Sequence, residues 1–330
     1  MRRRPTLARI ALAAALAGLP AGAAMATDGA IVVAQAPEAN PIRPTQRNTN
    51  NGGGNFWQRL TGGGERNAAP TTPAPATAAP APAAQSAPAP GGGAASGNAA
   101  KRLLAAYPGA FTISGNAVVF PSGERIVFDD GRRKSPAELL TDPDVEDMFA
   151  YPYPPAARGQ LTPPRDHDPG RVRNEAFFRA LYGSSEGAVR GTLKSVPWVP
   201  RLGGGTMNVT TRFGVADKVA AISDDLQRLP QRFHKYLAPT GGSFLWRPIA
   251  GTNRLSVHSF GAAIDINTKF TNYWRWDKAP AGGVIPYRNQ IPIEIVEVFE
   301  RHCFIWGGRW YHYDTMHFEY RPELLPGCRQ

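Results

Sequence analysis

The chain has 330 residues and a formal net charge of +11, with only two cysteines. Its length exceeds what one hydrophobic core usually supports, and so few cysteines exclude a disulfide scaffold. A basic surplus suits a polyanionic partner such as the cell envelope. No run of Lys and Arg is interleaved with aromatic residues, so a nucleic-acid partner is not predicted.

Residues 1–26 predict a cleaved secretory signal. Four arginines precede the apolar run Ile10–Leu19, and Ala24–Ala26 offers a small-residue cleavage site. The alternative is a membrane anchor, but the run is shorter than the ~20 residues that span a bilayer. We therefore expect an exported protein, periplasmic or associated with the cell wall, with no membrane span after cleavage.

Residues 27–100 are rich in Pro, Ala, Gly and Ser. Such a composition buries too little apolar surface to offset chain entropy, so it predicts a disordered linker. A short island around Phe56 and Trp57 is a weaker candidate for a docking motif.

Residues 101–200 predict an accessory subdomain. Two β-rich runs flank Ser122–Gly123 and predict a hairpin. Ser135 followed by Pro136 predicts the start of a helix, and "NEAFFRALYG" predicts another that ends at Gly183. The region has no cluster of catalytic residue types, and His167, in a Pro-rich turn, is expected to be solvated.

Residues 201–330 predict an α+β catalytic domain, a small antiparallel sheet with flanking helices. Apolar residues at helical spacing predict helices in "GVADKVAAISDDLQRL" and "IPIEIVEVFERH". Strands are predicted in "GSFLWRPIA", "GAAIDIN" and "CFIWGGRWYHYDTMHFEYRPEL". In an exported protein Cys303 and Cys328 are candidates for one disulfide bond, with two free thiols as the alternative.

Three residues are potential metal ligands, and side-chain alternation points to two of them. In "GAAIDIN" the apolar residues share one face, which leaves Asp265 on the other. In "TMHFEY" the same argument directs His317 away from the apolar face, toward a cleft or water. His258 lies seven residues before Asp265, in a turn. Two imidazoles and one carboxylate form a set of three ligands that suits catalytic zinc.

A general base would have to lie beside these ligands. Asp314, three residues before His317, is one candidate, and Glu319, two residues after it on the same face, is the other. The spacing His258-x6-Asp265 alone is common by chance, and a loop that leads into an ordinary strand explains it equally well. No H-E-x-x-H sequence is present.

The chain resembles the M15 family of zinc peptidases, which includes D-alanyl-D-alanine carboxypeptidases and L-alanyl-D-glutamate endopeptidases. The family pattern is S-x-H-x-x-G-x-A-x-D, followed later by an acid three residues before a histidine. The matching residues are Ser256, His258, Gly261, Ala263, Asp265, Asp314 and His317. The resemblance spans residues 201–325 and implies a hedgehog/D-Ala-D-Ala-peptidase-like core.

The resemblance implies one Zn²⁺ in the catalytic domain, held by His258, Asp265 and His317. It favours Asp314 as the catalytic base. It also implies an arginine that stabilises the oxyanion, for which Arg247 fits best and Arg254 second.

The substrates implied by the resemblance are peptidoglycan stem peptides. Ser256, Trp310 and Tyr311 are candidate substrate contacts, although core packing also explains the aromatic residues. A non-catalytic peptidoglycan-binding module that keeps the fold is the alternative function.

Overall fold

The computed structural model describes residues 94–154, 162–277, 283–325 and 327–328. The predicted signal peptide, the island around Phe56 and residues 27–93 of the predicted linker lie outside these ranges. The first helix begins at Ala94, before the predicted end of the linker. Among the helices of the described ranges, none combines the length and the apolar character that a membrane span requires.

Within the described ranges, helices and short antiparallel strands alternate along the chain. The helices α1 to α6 are Ala94–Ala106, Pro136–Thr141, Glu175–Tyr182, Glu186–Arg190, Val215–Leu226 and Ile293–Arg301. The strands β1 to β8 are Thr112–Ser114, Ala117–Val119, Arg125–Val127, Leu193–Pro197, Thr206–Thr210, Ala263–Asp265, Phe304–Trp306 and His317–Tyr320. They form three antiparallel sheets, β1-β2-β3, β4-β5 and β6-β8-β7. The α+β prediction is confirmed.

Short-range signals account for most of these elements. Strands β2 and β3 pair around the predicted hairpin turn. At the start of α2 the Ser135 hydroxyl accepts a hydrogen bond from the Glu138 N–H, and the Glu138 carboxylate accepts one from the Ser135 N–H. This reciprocal pair satisfies two backbone donors that a helix leaves free at its start. Helix α3 ends at Gly183, as predicted.

The strand predicted in "GSFLWRPIA" is wrong. Within the part of the chain that the structure describes, its only ladder-like contacts are isolated bridges, from Gly242 to Asp265 and from Pro248 to Leu255. Pro248 has no N–H to donate. The Ser259 hydroxyl lies within hydrogen-bond distance of the carbonyl oxygens of Leu245 and Arg247, to which it can donate its hydrogen. The segment therefore wraps around the short helix that contains Ser259 instead of joining a sheet.

The polar face of β8 is covered by other parts of the chain, so His317 does not point into water, which was one of the two options that alternation left open. All four residues of β8 are buried, including His317 and Glu319. The covering backbone approaches closely at Gly170, whose φ is +99°. A Cβ atom added there would lie 2.2 Å from Ile305 Cδ1, so only glycine allows this approach.

One hydrophobic core extends across the predicted boundary at residue 200. Its buried members include Leu103 and Phe177 before that boundary, and Ile264 and Phe318 after it. Strand β4 also pairs with β5 across the boundary. The division into an accessory and a catalytic domain stays a prediction, but the two regions share this core.

The two cysteines are joined by a disulfide bond. Cys303 follows α6 directly, and Cys328 lies 25 residues later. The bond ties the segment after the last strand back to the end of α6. The described residues contain no free cysteine.

An acidic cluster in the 101–200 region surrounds the ammonium of one lysine. The ammonium of Lys134 contacts Asp130 at 2.8 Å and Asp144 at 3.1 Å, and it also contacts Asp147. The lysine side chain is fully buried. Two overlapping groups here are close enough to hold a metal ion, Asp129, Asp130 and Asp144, and Asp144, Glu146 and Asp147. The Lys134 ammonium contacts members of both groups.

We expect Lys134→Met to lower the free energy of unfolding by about 3 kcal/mol, because buried carboxylates lose their counter-charge. Urea denaturation would measure the change. Lys194→Met is the matched control, since Lys194 pairs with Asp217 at an exposed site and should cost less than about 1 kcal/mol. If both variants lose the same free energy of unfolding, the buried cluster stabilises the fold no more than a surface ion pair does.

Candidate metal centre and active site

His258 is positioned by a single turn of 3-10 helix, Val257–Phe260. The Ser256 hydroxyl caps this turn by accepting a hydrogen bond from the His258 N–H. Gly261 ends the turn with a φ of +64°. A Cβ atom at Gly261 would lie 2.7 Å from Leu193 Cδ2 and 2.9 Å from the Thr210 amide nitrogen. The glycine therefore allows both the reversal of the chain and its close contact with β4 and β5.

The antiparallel pairing of β6 and β8 places Asp265 directly opposite His317. Side chains of directly opposed residues project from the same face of a sheet. Asp265 Oδ1 lies 3.2 Å from His258 Nε2 and 3.2 Å from His317 Nδ1. The two imidazole nitrogens are 3.1 Å apart. Residues 52 and 59 positions apart in the chain thus present three ligand atoms to one point.

The hydrogen bonds on the far sides of the two rings identify which nitrogens carry hydrogen. His258 Nδ1 lies 2.6 Å from the Ser243 carbonyl oxygen, which can only accept. His317 Nε2 lies 3.0 Å from Glu319 Oε2. When the rings are neutral, the two nitrogens that face Asp265 therefore carry no hydrogen and present lone pairs. Two lone pairs and a carboxylate oxygen at such distances repel one another unless a cation lies between them, and this donor set fits Zn²⁺.

Protonation of an imidazole would be the other way to supply a cation. Burial lowers the pKa of His317, but hydrogen bonds to Asp265 and Glu319 outweigh it and raise the pKa to about 9. The same environment holds the pKa of Asp265 well below its usual value: burial opposes this, and the two histidines produce it. The centre is thus built to hold positive charge.

Glu319 orients His317 and is itself held by two arginines. Glu319 Oε2 accepts from Arg173 at 2.8 Å, and Oε1 accepts from Arg321 at 2.9 Å. Burial alone would raise the pKa of Glu319, but Arg173 and the His317 hydrogen bond lower it well below its usual value. A fixed anion on Nε2 keeps the hydrogen there and aims Nδ1 at the centre. Both oxygens of Glu319 are engaged, which distinguishes it from the competing candidate base.

Asp314 lies one turn before His317, and its carbonyl accepts a hydrogen bond from the His317 N–H. Its Oδ1 atom is buried, and no hydrogen-bond partner for it exists in the part of the chain that the structure describes. Burial and the negative charge of Asp265 raise the pKa of Asp314 to about 6, against the opposing effect of His317 and Arg171. Asp314 is thus the carboxylate beside the centre that keeps a free acceptor oxygen.

Comparison with known proteins agrees with this geometry. Residues 250–320 match a family model described as D-alanyl-D-alanine carboxypeptidase. The matched segment contains both histidines, Asp265 and Asp314. The match supports an M15-family peptidase. The predicted resemblance is confirmed, and with it the assignment to the hydrolases. No curated protein and no solved structure matches the chain significantly.

The two arginines that the resemblance suggests for the oxyanion lie in different surroundings. Arg247 is tied through its backbone to the 3-10 helix of His258, since its N–H donates to the Ser259 hydroxyl. Arg254 turns toward the 101–200 region and donates to the Arg173 carbonyl at 3.4 Å. Burial lowers the pKa of Arg254, and the charge of Arg171 adds to this. The oxyanion role of Arg247 stays a prediction.

The candidate substrate contacts are all buried. The Trp310 ring lies 5.5 Å from the His317 ring, and its Nε1 donates to the Pro169 carbonyl. The Tyr311 hydroxyl accepts a hydrogen bond from the Ile285 N–H at 3.1 Å, and the ring packs in a small hydrophobic cluster with Ile285 and Tyr313. Ser256 serves as the helix cap described above. Direct contact of these residues with a substrate stays a prediction.

Residues 167–173, here called the covering segment, form one wall of the site and are not predicted by the sequence. The segment docks mainly through backbone carbonyls and charged side chains. The contacts are His167 O with the Tyr311 N–H, Asp168 with His312 Nδ1, Pro169 O with Trp310, Gly170 O with Arg321, and Arg173 with Glu319. The sequence "HDPGRVR" has the composition of an ordinary turn, so it carries no signal for this role. His167 is partly buried rather than solvated.

Proposed function

We propose that the protein is a zinc-dependent peptidase that hydrolyses peptide bonds in peptidoglycan stem peptides, of the D-Ala-D-Ala carboxypeptidase or L-Ala-D-Glu endopeptidase type. The observation that carries this proposal is the convergence of His258 Nε2, Asp265 Oδ1 and His317 Nδ1 within 3.2 Å of one another. The M15 match over the same residues supports the substrate class.

Each residue of the site has a role in this reaction. A zinc ion bound by the three ligands would supply a Lewis acid for the scissile carbonyl and lower the pKa of the attacking water. Asp314 accepts the proton of that water through its free oxygen and returns it to the leaving amine. Glu319 holds His317 in the required orientation. Arg247 would supplement the positive charge where the oxyanion develops.

We propose that the protein acts in the periplasm or at the cell wall. The signal-like N-terminus and the basic surplus support it. An anionic envelope attracts a basic protein, and peptidoglycan is the polymer that carries the stem peptides.

We expect one zinc ion per chain and hydrolysis of purified muropeptides that stops after chelation and returns with added zinc. Elemental analysis would measure the metal, and mass spectrometry of the products would distinguish loss of terminal D-Ala from an internal cut. His258→Ala should lose both zinc and activity. His302→Ala is the control, because His302 pairs with Asp225 outside the centre.

Two outcomes would contradict the proposal. Failure of the wild-type protein to cleave any stem peptide with zinc supplied would exclude the enzymatic function. Retained binding to peptidoglycan in that case would favour the non-catalytic wall-binding module.

A further inference from the structure

Arg171, in the covering segment, has a position that links it to the metal centre. Its guanidinium carbon lies 4.5 Å from the centroid of the Trp310 ring. The Trp310 ring in turn lies 5.5 Å from the His317 ring. Trp310 is buried and held by a hydrogen bond to the Pro169 carbonyl. The buried Trp310 ring thus contacts both the guanidinium of Arg171 and the ring of a proposed zinc ligand.

The charge of Arg171 also acts on two groups around the centre. It opposes the effect of burial on the pKa of Asp314, and it does the same for Tyr273. Tyr273 bridges to Asp314 through the backbone. Both Asp314 and Tyr273 therefore lie within electrostatic reach of the Arg171 guanidinium.

The guanidinium of Arg171 lies over the Trp310 ring but has no anionic partner among the described residues. Across residues 94–154, 162–277, 283–325 and 327–328 it forms no ion pair and no side-chain hydrogen bond, and its Nε atom is buried without a partner. The neighbouring Arg173 is paired with Glu319, and Arg179 with Glu175. Arg171 is partly buried, and a partly buried cation without an anionic partner costs free energy, which a ligand anion would recover.

The chemistry of the guanidinium narrows the choice of anion. Its planar donors match a carboxylate through two parallel hydrogen bonds. The charge of Arg171 acts on Asp314, but the two residues form no ion pair among the described residues. The anion is therefore expected to come with the substrate, and a peptide offers a carboxylate at its C-terminus.

We propose that Arg171 binds the C-terminal carboxylate of the peptide substrate and thereby selects bonds next to a free C-terminus. This inference rests on the proposed peptidase function and decides between its two forms. It favours removal of a terminal residue over an internal cut. It also gives the 101–200 region a part in specificity, through a residue 87 positions before His258.

The test compares an N-acylated peptide that ends in D-Ala-D-Ala with its C-terminal amide. For wild-type enzyme we expect a lower KM for the free acid. Arg171→Ala should raise the KM of the acid about 10- to 100-fold, the range for a lost hydrogen bond to a charged group. The KM of the amide and both kcat values should stay nearly unchanged. Arg171→Lys should give a KM for the acid between those of the wild type and Arg171→Ala, because lysine keeps the charge but lacks the planar guanidinium.

Arg165→Ala is the matched control. Arg165 precedes the covering segment, is exposed, and contacts only its neighbour Asp166 among the described carboxylates. It should leave both KM values unchanged. Zinc content and thermal unfolding of every variant would confirm that the centre and fold are intact.

Two results would overturn the inference. An equal loss of kcat on acid and amide in Arg171→Ala would assign the guanidinium to the oxyanion instead. An unchanged preference for the acid would show that another group binds the carboxylate. If the wild type cleaves neither peptide, the proposed function fails. The role of Arg171 is then tested by calorimetry, which measures how tightly the wild type and Arg171→Ala bind the free acid and the amide. A preference for the acid that is lost in Arg171→Ala supports the inference, and equal binding of acid and amide overturns it.

Discussion

Asp314→Asn is expected to reduce kcat about 100- to 10,000-fold, the usual contribution of a positioned acid-base group. The amide has the size of the carboxylate but cannot accept the proton of the attacking water. Because Asp314 Oδ1 has no partner among the described residues, the substitution breaks no hydrogen bond of that atom. Stem-peptide hydrolysis, zinc content and thermal unfolding would be measured on the same preparation.

The control for this variant is Asp217→Asn, which changes a carboxylate at an exposed ion pair with Lys194. It should retain full activity. Loss of zinc in Asp314→Asn would assign Asp314 to metal binding, and full activity would show that another residue is the base. Glu319 would then be the group to test next.

Glu319→Ala is expected to weaken zinc binding about 10- to 100-fold, because His317 loses the anion that orients it. It should also lower the free energy of unfolding by about 3–5 kcal/mol. The reason is that Arg173 and Arg321 are buried and share this carboxylate. Zinc competition with a chromophoric chelator and urea denaturation would measure the two effects separately.

Glu186→Ala is the control, since Glu186 pairs with Arg190 at an exposed helix surface. Its expected cost is less than about 1 kcal/mol, with zinc affinity unchanged. A Glu319→Ala variant that binds zinc normally and unfolds normally, yet has no activity, would contradict the orienting role. Such a result would favour Glu319 as the base.

The covering segment changes how the 101–200 region is understood. Composition alone indicates an accessory subdomain, and the division itself stays a prediction. Contacts from Asp168, Arg173 and the Pro169 carbonyl nevertheless reach the loop and strand that carry the proposed base and ligand. A peptide that enters the site would therefore meet side chains from both regions.

Local chemistry explains what the sequence alone determined. The capping residues of α2, the turn between β2 and β3, and Gly183 after α3 act within a few residues. Alternation in two strands also separates Asp265 and His317 from the apolar face, but only the M15 resemblance joined them with His258 as a proposed ligand set. The strand predicted around Arg247 did not form, because hydrogen bonds from Ser259 replaced the ladder.

Only the tertiary structure decided what covers the polar face of β8. Alternation shows that His317 and Glu319 share a face, but it does not show what packs against that face. The answer comes from Arg173, which is 146 residues from Glu319 in the chain, and from Arg171 stacked on Trp310. Contacts over such separations depend on how the whole chain packs, and a periodicity of two residues carries no information about them.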